Sequence, residues 1–116
     1  MTNASSEFHG KATKAECIID DDDGITSLTM WWGERGSYLA LSRDSESPRL
    51  HCEFANQANG FYPKTLQHSL EDLVVAFDLG DDEYFERSKR LQHVSIECAN
   101  PQMAEEVRLV LTALFS

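Results

Sequence analysis

The C-terminal end of the chain changes its hydrophobic period, and that change constrains the fold more than any other feature. In "QHVSIECA", Gln92 to Ala99, the residues Val94, Ile96 and Cys98 alternate with His93, Ser95 and Glu97, the period-two pattern of a strand with one buried face. From Asn100 the segment "NPQMAEEVRLVLTALF" takes helical spacing, and Met103, Val107, Val110, Leu111 and Leu114 fall on one apolar stripe. Asn100 suits the N-cap, because its side-chain oxygen can accept from a first-turn N–H, and Pro101 is favoured at the first helical position. Glu105 and Glu106 are expected to sit near the positive end of the helix dipole. A helix with such a stripe must bury it, and the expected partner is a sheet.

The rest of the chain supplies that sheet. "KATKAECIID", Lys11 to Asp20, places Ala15, Cys17 and Ile19 on one face, and "DDDDG" at Asp20 to Gly24 is turn chemistry, since Asp and Gly tolerate left-handed backbone. "ITSLTMWW" sets Leu28, Met30 and Trp32 against Thr29 and Trp31, so the pair reads as a hairpin. After "GERG", Gly33 to Gly36, the strand "SYLALSRD" turns Leu39 and Leu41 one way and Tyr38 and Ala40 the other. "RLHCEFA" points Leu50, Cys52 and Phe54 inward and leaves His51 and Glu53 on the opposite face. Four strands joined by short polar turns argue an antiparallel meander. Beyond "NQANGFYP", a short strand is expected over Lys64 to Gln67 and a strong one over "DLVVAFDL", Asp72 to Leu79. Val74 and Ala76 are apolar on its second face, which suggests that a helix lies over this strand. "YFERSKRL", Tyr84 to Leu91, is ambiguous between a helical turn and an irregular link.

The expected architecture is therefore α+β, a mainly antiparallel sheet of five to seven strands with the C-terminal helix packed on one face. Residues 1–10 read as a flexible N-terminal tail and 11–116 as a single domain, and a chain of 116 residues is too short for two cores. "MTNASSEFHG" has neither a basic n-region nor an apolar h-region, and no apolar run approaches a membrane span, so a cytoplasmic protein is expected.

Charge narrows the function. Twenty acidic against ten basic residues give a formal net charge of −10, a field that repels phosphate backbones and anionic lipids and suits a basic protein partner. Neither nucleic acid nor a membrane is an expected ligand. The short basic stretch "RSKR" at Arg87 to Arg90 stands beside the acidic Asp81, Asp82 and Glu83 and reads as local compensation.

Templates for chemistry fail. With Gly24 at the sixth position of a calcium-binding EF-hand loop, the first and twelfth ligands would be Ile19 and Met30, neither a ligand. "HCE", His51 to Glu53, imitates the His-x-Glu of zinc deaminases, but no Pro-Cys-x-x-Cys element completes the metal shell. Cys17, Cys52 and Cys98 are odd in number and widely spaced, which points to reduced thiols packed as small hydrophobes. No nucleophile elbow or Gly-rich phosphate loop occurs. No enzymatic activity, cofactor or metal is expected.

From Gly36 onward the order of elements resembles the immunity protein 10 family of bacterial polymorphic toxin systems. The resemblance rests on "YLALSR" at Tyr38 to Arg43, "LHCEFANQANG" running into a polar loop, "LVVAFDL", and the closing "VSIECANPQMAEEVRLVLTALF". It implies a small cytoplasmic α+β protein that binds and blocks a cognate toxin domain. Independently of it, Trp31 is the exposed member of the "WW" pair, and exposed Trp is enriched at interfaces. The loop after Phe54 offers Asn56, Gln57 and Asn59 as adaptable hydrogen-bonding groups beside His51 and Glu53. The expected partner-binding residues are thus Trp31, His51, Glu53, Asn56, Gln57, Asn59, Asp81, Asp82 and Glu83, with the protein a monomer or homodimer. A small acidic secretion chaperone, holding an extended effector segment against its sheet, is the alternative.

Overall fold

Strands β2, β3 and β4 lie where period-two alternation survives, and the chain takes left-handed backbone at Asp20, Gly24, Gly33 and Asp72, at or beside strand ends. The computed structural model describes residues 6–33, 37–46, 49–54, 62–63, 66–78 and 91–115. In chain order these form β1 (Ser6–Ile18), β2 (Ile25–Trp32), β3 (Ser37–Asp44), β4 (His51–Phe54), β5 (Gln67–Glu71), β6 (Val74–Asp78), β7 (Leu91–Glu97) and α1 (Pro101–Leu114). The strands make one sheet in the order β4, β3, β2, β1, β7, β6, β5. All neighbours are antiparallel except β1 and β7, which are parallel. The fold is α+β, with the helix packed on a mostly antiparallel sheet, and the first four strands form the expected meander.

β1 joins the two halves of the sheet. Its first part, Ser6 to Lys11, pairs with β7, and its second, Ala12 to Ile18, pairs with β2. Thr13 is an extra residue in the ladder, because Ala12 stands opposite Trp32 and Lys14 opposite Trp31. Such a bulge reverses which alternate residues face inward. Phe8 and Ala12 face the core before it, and Ala15 and Cys17 after it. The tail expected through Gly10 is thus corrected: the strand begins at Ser6, and pairing with the distant β7 is what orders it. Ile19, expected on the face of Ala15 and Cys17, lies past the strand end and is 52% exposed.

Gly10 has a specific steric task. A Cβ there would come within 2.9 Å of Phe8 Cε2 and 3.5 Å of Trp32 Cγ, so only glycine lets the Phe8 ring lie across its own strand. That ring meets Trp32 at 4.9 Å and Phe54 edge-on at 5.3 Å, an arrangement that aromatic quadrupoles favour over face-to-face stacking.

The aspartate run folds as a turn. Asp21 Oδ1 accepts from the N–H groups of Asp23 and Ile25 at 2.8 and 3.0 Å, and Gly24 takes φ +77. A second turn was misplaced from sequence. The strand expected over Lys64 to Gln67 instead runs Gln67–Glu71, and Asp72, with φ 54, turns the chain with Leu73 before β6 begins at Val74.

The helix begins as expected, with Asn100 Oδ1 accepting from the Met103 N–H at 2.8 Å and Pro101 at the first position. Glu105 and Glu106 lie beyond the first turn, so they do not complement the dipole there. Glu105 instead pairs with Arg108 one turn on. Val107, Val110, Leu111 and Leu114, joined by Ala104, are buried against Leu28, Met30, Leu39, Leu41, Val75, Phe77, Val94 and Ile96. Each fully buried large side chain of this kind is worth about 1.5–3 kcal/mol. The helix therefore closes one face only. The second face of β6 is left open among the described residues, where Val74 is 39% exposed, contrary to the expected covering.

Candidate functional site

On the helix-free face, the side chains opposite the core positions of β1 to β4 line up across the strands. Because Met30 and Trp32 are buried, Trp31 must point outward; it is half-buried there, between Lys14 on β1 and Tyr38 on β3. Lys14 Nζ sits 4.9 Å from the centre of the Trp31 ring, a cation–π distance. The Tyr38 hydroxyl donates to Glu53 Oε1 at 2.9 Å, and Glu53 Oε2 lies 3.7 Å from His51 Nδ1. The His51 ring meets Tyr62 edge-on at 5.1 Å, and the Arg49 guanidinium lies 4.1 Å above Tyr62. Lys14 thus contacts Trp31, and Tyr38, its register partner on β3, leads through Glu53 and His51 to Tyr62 and Arg49.

The Tyr38 hydroxyl and the His51 ring flank one carboxylate, Glu53. Burial first, then the hydrogen bond to Glu53 and its charge, push the Tyr38 phenol above its ordinary range, so Tyr38 is a neutral donor at physiological pH. Glu53 is held from two sides and presents the row's single carboxylate. Aromatics thus alternate with charged groups held by their neighbours, on strands whose opposite face is packed core. A cavity of about 370 Å³ includes His51 but neither Glu53 nor Tyr38 among its described lining residues.

Of the residues singled out from sequence, the fold brings Trp31, His51 and Glu53 onto this one face. Asn56, Gln57, Asn59, Asp81, Asp82 and Glu83 lie outside the described residues. Sequence reasoning missed Lys14, Tyr38, Arg49 and Tyr62. Tyr38 was within reach: equal steps outward from "GERG" put it opposite Trp31. Arg49 and Tyr62 meet only through the return of the chain after β4, which no local pattern announces.

Among the described residues no group of three or more His, Cys, Asp or Glu side chains is placed to hold a metal ion, and no helix is long and apolar enough to cross a membrane. No family model, curated protein or solved structure matches the chain.

Proposed function

We propose that this is a non-enzymatic, acidic binding protein that docks a basic polypeptide on its helix-free sheet face. In the form suggested by the sequence resemblance, it is a cytoplasmic immunity protein that neutralises a cognate bacterial toxin domain. The observation that carries this reading is the row from Trp31 through Tyr38 and Glu53 to His51, which no described element covers. An aromatic anchor next to a fixed carboxylate is the composition of an interface hot spot for an Arg- or Lys-bearing partner. The net charge of −10 would steer such a partner and speed its association.

Co-expression with the product of the adjacent gene tests the reading. Growth rescue and an equimolar complex are expected, with an association rate that falls steeply as salt rises. Glu53→Lys should slow association and weaken binding by about 30-fold or more, the hot-spot scale of 2 kcal/mol. A neighbouring toxin that neither binds nor is neutralised would overturn it.

A further inference from the structure

The sheet has two edges, and they differ. Along β4, at one end of the strand order, the returning chain brings Tyr62 against His51. Along β5, at the other end, four of the five residues Gln67–Glu71 are exposed, and their only main-chain bonds among the described residues are those to β6. An edge strand presents a row of unpaired N–H and C=O groups, and proteins usually blunt such an edge with Lys, Pro, a bulge or a very short strand. None of these protects β5. Its sequence, Gln-His-Ser-Leu-Glu, has neither Lys nor Pro, keeps unbroken register with β6 over all five residues, and has the usual length of a strand.

The strand is also complementary to itself. Paired antiparallel with a second copy about a two-fold axis through Ser69, it sets Ser69 opposite its own counterpart, Gln67 opposite Glu71 and His68 opposite Leu70. No like charges then stand directly opposite, and the Gln67 amide can donate to the Glu71 carboxylate. His68 and Leu70 lie on the helix-bearing face, being in register with Phe77 and Val75; there His68 stacks on Phe115 at 4.2 Å and Leu70 packs against the core. Each copy's Leu70 would meet the His68 ring of the other, carrying the apolar face across the junction. A second copy holds this matching pattern by construction. We propose that two copies of the chain join edge to edge through β5 into one continuous sheet. The Trp31 row takes no part, so the inference stands or falls without the toxin-binding reading. Each copy has a net charge of −10, so association works against repulsion and should strengthen as salt screens it. Docking of a basic partner does the opposite.

The test is sedimentation equilibrium of the full chain from about 10 μM to about 1 mM, in about 0.05 M and about 0.5 M salt. A reversible monomer–dimer equilibrium is expected, tighter at the higher salt. Ser69→Lys sets two ammonium groups opposite each other and should weaken the dimer about five-fold or more, with the fold intact because Ser69 is exposed. Cross-linking reads the register. Residues directly opposite stand about 4.5–5.5 Å apart between Cα atoms, within disulfide reach, so Ser69→Cys should join two copies in oxidised glutathione where wild type does not. Gln67→Cys, out of step with its own counterpart, should not. A monomer at every concentration in both salts, a dimer that loosens as salt rises or is indifferent to Ser69→Lys, or a dimer that fails to cross-link through Ser69→Cys or does so through Gln67→Cys would overturn it.

Discussion

Arg43 on β3 donates from Nη2 to the main-chain carbonyl of Ala113, 70 residues away, at 2.8 Å. The helix has no basic residue in its own last turn, and its final carbonyls carry the negative end of the dipole without intrahelical partners. The sheet thus supplies from β3 the cation that the helix sequence lacks. Arg43→Met should lower stability by about 1–2 kcal/mol, the scale of a charge-assisted hydrogen bond plus a dipole interaction. Arg43→Lys should recover part of that loss. Urea denaturation should show a lower midpoint with an unchanged slope; a midpoint equal to wild type would show that the contact contributes nothing.

The thiols should be chemically quiet in the folded protein. Cys52 is 1% exposed, and burial, with a lesser contribution from the Glu53 charge, pushes its pKa up to about 12. Burial first, then the charges around Glu106, Cys98 and Glu16, push Cys17 up to about 11, and burial raises the Cys98 thiol too. Only the thiolate attacks a disulfide reagent. At pH 8 Cys17 and Cys52 should therefore react at least about a hundred-fold more slowly than free cysteine, Cys98 should also be slowed, and all three thiols should appear on adding denaturant. A thiol that titrates rapidly without denaturant would contradict the packing described for these residues.

What the sequence reveals and conceals follows from how far apart the cooperating residues lie. The N-cap at Asn100, the inward set Leu28, Met30, Trp32, and the outward placement of Trp31 are decided within a few residues, so alternation and capping chemistry expose them. The bulge at Thr13 is not visible locally, since only pairing with Trp31 and Trp32 defines it. The same holds for the first part of β1, whose polar residues become a strand because β7 lies alongside. Asp72 hid its turn for another reason: it opens the run "DLVVAFDL", which reads as one strand from Asp72 to Leu79, and its left-handed backbone is a choice that Asp permits without advertising. The row from Lys14 to Arg49 draws on four strands and a returning segment, so only its Trp31, His51 and Glu53 members were legible.

His68 should make stability sensitive to mild acid. One face of its ring stacks on Phe115 at 4.2 Å, and that desolvation lowers its pKa from the usual 6.5. The folded protein therefore takes up this proton less readily than the unfolded chain. Above pH 6.5 both states hold a neutral ring and nothing is lost. As pH falls below 6.5 the unfolded state is protonated first and stability declines, levelling off once pH passes the lowered folded value. Urea midpoints at pH 7.5 and pH 5 should show a smaller acid-side drop for His68→Gln than for wild type. An identical drop in the two proteins would show that His68 is not the group responsible.

The adjacent tryptophans should separate stability from binding, because neighbouring strand residues face opposite ways. Trp32 is 9% exposed and packed between Phe8 and Phe54, so Trp32→Ala should cost about 3–5 kcal/mol and lower the melting temperature sharply. Trp31 lies on the other face beneath Lys14 and beside Tyr38. Trp31→Ala should cost far less stability yet weaken binding of the basic partner by about 30-fold or more. A Trp32→Phe variant leaves Trp31 as the sole indole, so acrylamide quenching reports that face directly: accessible in the free protein and shielded in the complex. If Trp31→Ala binds the partner with wild-type affinity, and the Trp31 indole stays quenchable in the complex, the docking surface lies elsewhere on the molecule.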